Sequence, residues 1–168
     1  MSTGPSIWRY TLRMTPIPAG EVITRILLAA GLSAALGLER EYHQKPAGLR
    51  TNILIGIGST LFTILSLWFG RENAGSMDRV AAQIVTGIGF LGAGAIMHSS
   101  NSVHGLTTAA TIWVNAAIGM AAGVGMASVA VGVTTVTLLV LIGLTPLESF
   151  FQRWAHRRGV APEKPGAK

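Results

Sequence analysis

The longest uncharged stretch of the sequence is the feature that most restricts what the chain can fold into. Residues 80–147, a run of 68, contain no Asp, Glu, Lys or Arg, and residues 51–70 contain none either. Only 12% of the chain is charged, against about 25% in soluble domains. A soluble fold would need charged, solvated faces in these stretches. The sequence therefore predicts an integral membrane protein of one domain.

Five segments are apolar enough to cross a hydrocarbon core of about 30 Å as helices, which requires about 20 residues each. They are residues 22–38, 53–70, 80–97, 106–122 and 126–145. Long alternation of apolar and polar residues, the pattern of a membrane barrel, is absent. We therefore expect an all-α polytopic bundle of about five transmembrane helices over residues 22–145, preceded by an N-terminal tail over residues 1–21.

The last segment, residues 146–168, has a different composition and is predicted to be a basic, amphipathic, cytoplasmic tail. Its apolar side chains recur at the spacing of one helical face: Leu147, Phe150, Phe151 and Trp154. Two alternatives remain open for this part, namely a helix lying on the membrane surface and a short extension of the fifth helix.

Basic residues outnumber acidic residues by thirteen to seven, which gives a net charge of +6. Such an excess can indicate nucleic-acid binding, but five of the thirteen fall in the last sixteen positions, beside a predicted span. We therefore expect contact with the headgroups of the lipid bilayer and no nucleic-acid partner. The first loop and the tail together hold eight basic residues, which favours an outside N-terminus and a cytoplasmic C-terminus.

Small and polar residues recur every four positions in the fourth predicted helix: Thr107, Thr111, Asn115, Gly119 and Gly123. We call these residues the helix 4 stripe. Such residues let helix backbones approach closely and form hydrogen bonds across the contact. The stripe is therefore either a packing surface within the bundle, or a face that lines a polar cavity or docks another membrane protein. Shorter stripes occur in the second helix (Asn52, Gly56 and Thr60) and the third (Ala82, Thr86, Gly89 and Ala93).

The third helix also contains four closely spaced glycines, Gly87, Gly89, Gly92 and Gly94. The first three match the dinucleotide-binding pattern GxGxxG, but that pattern requires a preceding strand and an acidic residue about 20 positions later. After these glycines, no acidic residue occurs before Glu148. We therefore interpret the glycines as positions of close helix packing in the membrane.

Charged residues at the predicted helix ends are expected to lie at the membrane interface and to pair with each other, because an ionisable group at the bilayer centre costs about 3 kcal/mol or more. These residues are Glu39, Arg40, Glu41, Asp78 and Arg79, whereas Lys45 and Arg50 in the first loop are expected to reach the inner headgroups. In the first loop, Pro46 and Gly48 predict a turn, and Thr51 or Asn52 could cap the second helix.

The acidic residues at the end of the first helix suggest a candidate metal site. Glu39 and Glu41 could bind Mg²⁺, which takes one or two carboxylates and keeps several waters, with His98 or His104 as further partners on the same side. Asp78 should lie about 30 Å away on the opposite side. No other cofactor is expected, and no arrangement of nucleophile and base predicts an enzyme.

Five segments together resemble the MgtC/SapB family of bacterial inner-membrane proteins. They are GLERE (37–41), KPAGLRT (45–51), RVAAQ (79–83), GIGFLGAG (87–94) and GLTTAATIW (105–113). The resemblance implies five membrane helices and a role in adaptation to low magnesium and in virulence. Longer members carry a soluble C-terminal domain, and this sequence is expected to be a short form without it.

The resemblance further implies a regulator that contacts another membrane protein, such as the proton-driven ATP synthase. The alternative is a transporter or channel for Mg²⁺ or another small ion. Partner binding, whether to another integral membrane protein or in a homo-oligomer, is expected to use the small-residue helix faces.

Overall fold

The computed structural model describes residues 17–72, 79–99 and 102–157. Within them the chain forms five helices and one short antiparallel hairpin of strands: α1 (Ala19–Tyr42), α2 (Leu49–Glu72), α3 (Arg79–Gly94), β1 (Met97–Ser99), β2 (Ser102–His104), α4 (Leu106–Gly123) and α5 (Ala127–Arg157). The predicted all-α bundle of five helices is confirmed. Residues 1–16 of the predicted N-terminal tail and residues 158–168 of the predicted C-terminal tail lie outside the described part of the chain.

Helix α4 lies at the centre of the bundle, since all four other helices pack against it. One of its sides joins an apolar cluster with α1 and α5, to which it contributes Ile118 and Ala122. Another side joins a second cluster with α2 and α3, to which it contributes Ile112 and Ala116. The core is therefore divided around α4 into two apolar clusters, and a row of polar residues described below lies between them.

Helix α2 begins earlier than predicted, at Leu49 instead of residue 53. The amide of Leu49 donates to Glu41 Oε2 at 3.0 Å, so a carboxylate from the end of α1 caps α2. The prediction that Thr51 or Asn52 caps this helix is therefore wrong. Asn52 lies within the first turn and its side-chain amide donates back to the carbonyls of Ala47 and Gly48.

Helix α3 ends at Gly94, three residues before the predicted end. The chain then forms the β1–β2 hairpin, in which Met97 pairs with His104 and Ser99 with Ser102. Gly105 follows with φ of 89°, a conformation suited to glycine, and an added Cβ would overlap the carbonyl oxygen of Ala95.

Four of the five described helices are long and apolar enough to cross a membrane: α1, α2, α4 and α5. The 16 residues of α3 give a length of about 24 Å, which is shorter than a full hydrocarbon core. Helix α5 continues through Pro146 to Arg157 as one helix of 31 residues. Of the two alternatives predicted for this part, the described residues follow the second, a short extension of the fifth helix.

The two ends of α4 are each bound by an arginine from α1, which runs antiparallel to it. At the C-terminal end, Arg25 Nη1 donates to the carbonyl of Gly123 at 2.6 Å, and Arg25 also pairs with Glu21 at 2.5 Å. A cation at this position interacts favourably with the negative end of the helix dipole. Arg25 thereby holds the α4–α5 turn against α1.

Replacing Arg25 with Ala should lower the free energy of unfolding by about 1–2 kcal/mol, because the charge-assisted bond to Gly123 is lost. Thermal unfolding in detergent, followed by the intrinsic fluorescence of the four tryptophans, measures this change. Thr24→Ala is the matched control, since Thr24 is exposed and bonds only to Gly20 of its own helix. Equal melting temperatures for the two variants would contradict the role assigned to Arg25.

Candidate functional site

A buried network of polar side chains joins α1, α2 and α4 near the middle of α4. Asn115 accepts from Ser33 Oγ at 2.8 Å and donates through Nδ2 to the backbone carbonyl of Asn52 at 2.8 Å and to its Oδ1 at 3.1 Å. Ser33, Asn52 and Asn115 are all completely buried. Since buried polar groups are stable only when bonded, this network fixes the register of three helices at once.

Backbone contact between α2 and α4 is closest next to this network. A Cβ added to Gly119 would lie 2.7 Å from the carbonyl oxygen of Gly56, and one added to Gly123 would lie 2.7 Å from Thr63 Cβ. Thr60 Oγ1 donates to the carbonyl of Gly119 at 2.8 Å. The two helices therefore touch where both sequences carry small residues, as expected for membrane helices.

The helix 4 stripe thus lies largely inside the bundle. Asn115, Gly119 and Gly123 are buried against α2, Thr111 bonds to the carbonyl of Thr107 in its own helix, and only Thr107 is exposed. Asn115, Gly119 and Gly123 therefore have no exposed surface through which a partner could dock. Packing within the chain accounts for the geometry of these residues. Ser33, which the sequence prediction missed, was visible as a polar residue in the middle of the first span.

A second polar cluster lies at the end of α1, beside the first turn of α4. Arg40 is 4% exposed, and its Nη2 donates to Thr108 Oγ1 at 3.2 Å. Its Nη1 lies 3.7 Å from Glu39 Oε2, and Glu39 Oε1 lies 3.0 Å from His43 Nδ1. Arg40 therefore pairs with its neighbour, as predicted for the interfacial charges, but it is enclosed by protein instead of facing headgroups.

The two carboxylates predicted to bind a metal have separate roles. Glu39 is held between Arg40 and His43, whereas Glu41 caps α2 through the amide of Leu49. The structure does not bring them together. Among the described residues, no group of three or more His, Asp or Glu side chains could hold a metal ion. His104 is exposed at the end of β2.

The remaining predicted charges are distributed over both ends of the bundle. Lys45 and Arg50 are exposed in and after the α1–α2 loop, and Arg79 is exposed at the start of α3. Arg79 is at the opposite end of the bundle from Arg40, because α1 and α3 both run antiparallel to α4. Asp78 lies outside the described residues.

Of the four α3 glycines that were predicted to pack closely, only Gly92 does so within the described part of the chain. Gly92 packs against Ala109 of α4 at 3.7 Å, but Cβ atoms added to Gly87, Gly89 and Gly94 would meet nothing within 4 Å. The reason is that α3 lies at the edge of the bundle. Only one stripe of α3 is buried, formed by Ile84, Ile88 and Gly92.

The opposite side of α3 carries the small residues Ala82, Thr86, Gly89 and Ala93, all of which are exposed. We call this surface the α3 outer face. Between α2 and α3 lies a groove of about 640 Å³. Its apolar walls include Leu54 and Phe62 from α2 and Ile88 and Leu91 from α3. The α3 outer face and the α2–α3 groove are two separate surfaces of the same peripheral helix.

Adding one methyl group to Gly119 should destabilise the bundle, because its Cβ would press on the backbone of α2. We expect Gly119→Ala to lower the free energy of unfolding by about 1–3 kcal/mol. Gly132→Ala in α5 is the matched control, since its Cβ would meet nothing within 4 Å. This control should be neutral or more stable by up to about 1 kcal/mol. Denaturant titration in micelles compares them, and equal stabilities would contradict the proposed contact.

Comparison with known proteins extends these findings. The MgtC family matches residues 26–150. The chain is 49% identical over 128 residues to a protein of Escherichia coli strain K12 named "Putative magnesium transporter YhiD"; the alignment covers 72% of this chain and 59% of that protein. It is 43% identical over 128 residues to "Protein MgtC" of Brucella abortus strain 2308, covering 76% of this chain and 53% of that protein.

An uncharacterised protein of Haemophilus influenzae strain Rd is 43% identical over 145 residues, which cover 82% of this chain and 59% of that protein. The chain therefore spans between 53% and 59% of the length of these relatives. No solved structure matches it. Because the family match extends over all five helices, the chain belongs to the MgtC family of membrane proteins.

Proposed function

We propose that this protein is a non-enzymatic regulator that binds a transmembrane helix of another membrane protein through the α3 outer face. The observation that carries the proposal is the exposure of Ala82, Thr86, Gly89 and Ala93 along one side of a peripheral helix. Close contact between membrane helices depends on small residues, since lipid provides little hydrophobic driving force for association.

A comparison with α4 supports this use of the α3 outer face. The helix 4 stripe also consists of small and polar residues, and at Gly119 it forms one of the closest backbone contacts between helices of the bundle. Gly89 on α3 has open space around it. A second helix could therefore approach α3 as closely as α2 approaches α4, with Thr86 available for a hydrogen bond of the kind that Thr60 makes.

The proposal extends to the setting of the protein. We place it in the bacterial inner membrane with its C-terminus in the cytoplasm, supported by the distribution of basic residues. We further propose a role in adaptation to low magnesium and in virulence, with the ATP synthase as the first partner to test. Support for these parts comes from the resemblance described above and from relatives whose names refer to MgtC or to magnesium.

Replacing Gly89 with Leu should abolish capture of the partner and leave the fold intact, because a bulky side chain on the α3 outer face prevents close helix contact. Crosslinking in native membranes, followed by identification of the captured proteins, measures this effect. Gly132→Leu is the matched control, because Gly132 is also a helical glycine in open space. We expect at least about a tenfold loss for Gly89→Leu, which corresponds to about 1.4 kcal/mol.

Equal capture of the same protein by the Gly89→Leu and Gly132→Leu variants would exclude the α3 outer face as the binding surface. The effect on the ATP synthase is measured by ATP-driven proton pumping in inverted vesicles with and without the protein. Unchanged pumping at saturating amounts of the protein would exclude that enzyme as the partner.

A second function, transport of Mg²⁺ or another small ion, is favoured by the row of buried polar side chains. Ser33, Asn52 and Asn115 lie in the middle of the bundle, and Glu39 and Arg40 lie at one end of it. Such residues within membrane helices often mark ion pathways. Flux into liposomes that contain only the purified protein tests this function. Mg²⁺-dependent flux into such liposomes would support transport, whereas absence of flux from correctly inserted protein would exclude it.

A further inference from the structure

Helix α3 has to cross the membrane, although it is the shortest of the five described helices. Asn115 of α4 donates to Asn52 of α2. Four residues further along both helices, Gly119 lies against Gly56, so α2 and α4 run parallel. Two parallel spans enter the membrane from the same side, and the chain must therefore recross it between them. Of the described elements between α2 and α4, only α3 is long enough to do this.

The two ends of α3 limit how much hydrocarbon it can cross. At the start, Arg79 is exposed, and an ionisable side chain is costly inside the core. Past the other end, the chain forms a sheet of two strands, so each strand keeps an open edge, and Val103 and His104 are exposed. Open strand edges that face lipid do not occur in the hydrocarbon region. The apolar span is therefore restricted to residues 80–96.

This span is shorter than an average hydrocarbon core. The amides of Ala95 and Ile96 still bond to carbonyls of the last turn of α3, so helical geometry continues to the hairpin. The 17 residues from 80 to 96 then cover about 26 Å, against a core of about 30 Å. By contrast, residues 127–147 carry no charge and lie within α5. Their helical length is about 31 Å, so the apolar surface is about 5 Å shorter along α3 than along α5.

Neither sliding of α3 nor the reach of its side chains removes this deficit. The buried contacts of Ile84, Ile88 and Gly92 hold α3 at a fixed level in the bundle. The long side chain of Arg79 can extend to the interface at one end. At the hairpin end the limit is set by backbone groups, which have no such reach. Lipid around a span that is too short responds by becoming thinner.

We propose that the bilayer is locally thinned along α3, and that this side of the protein selects phospholipids with short acyl chains. The selection concerns chain length, so it is independent of the headgroup and of the partner proposed for the α3 outer face. Its counterpart is α5, which matches a core of average thickness. Phe90 is 81% exposed on α3 and Leu139 is 66% exposed on α5, and these two positions contact the two lipid environments.

A fluorescent label at each of these positions tests the proposal in the purified full-length protein. The chain contains no cysteine, so Phe90→Cys and Leu139→Cys each provide a single attachment site. Liposomes contain equal amounts of phosphatidylcholines with chains of about 14 and about 22 carbons, and one or the other carries a nitroxide quencher. We expect the short lipid to be favoured about threefold at the α3 label. The α5 label is the matched control and should show no such preference.

A change in the length of the span provides the second test. Gln83 is exposed and lies one turn after Arg79, so Gln83→Arg moves the charged end of the span inward. It should raise the preference at the α3 label by about twofold, whereas Gln83→Leu, the matched control, should not. Equal preference at the two labels, or equal preference in the two Gln83 variants, would overturn the proposal. A label on α3 that neither lipid quenches would also overturn it, because protein would then cover this helix.

Discussion

The contact between α2 and α4 is the interaction on which the rest of the structure depends. Within a bilayer the hydrophobic effect does not draw helices together, so association depends on close packing and on bonds between helices. Gly56 and Gly119 bring the two backbones to contact distance, and Asn115 connects both helices to Ser33 of α1. The three helices form a unit, and the hydrogen bonds of Asn115 specify how they are aligned along their axes.

The positions of the other elements follow from this unit. Arg40 and Arg25, both on α1, bind the two ends of α4, so α1 is attached to α4 at three levels. Helices α3 and α5 bring less of their surface into the interior, and α3 is held mainly by Ile84, Ile88 and Gly92. Surfaces that remain exposed to lipid are therefore concentrated on the peripheral helices.

Much of this architecture could be predicted from the sequence, because charged residues mark where helices leave the membrane. The chain folds into the five expected helices, and residues 124–126 join α4 to α5. Local exceptions depend on contacts that no periodicity reveals. Leu49 begins α2 because Glu41 of another helix caps it, and Met97 leaves the third helix because it pairs with His104 in a hairpin.

The candidate site was harder to predict, because stripes of small residues have the same composition whether they face protein or lipid. Gly119 and Gly89 belong to similar stripes, yet one touches the backbone of α2 and the other has open space around it. The difference arises from the position of each helix in the bundle, which is a property of the whole fold. The α4 stripe is already packed against α2 inside the chain, so substitutions in it should change the stability of the fold. The corresponding stripe in α3 is unpaired within the described chain, so its substitution should report on binding.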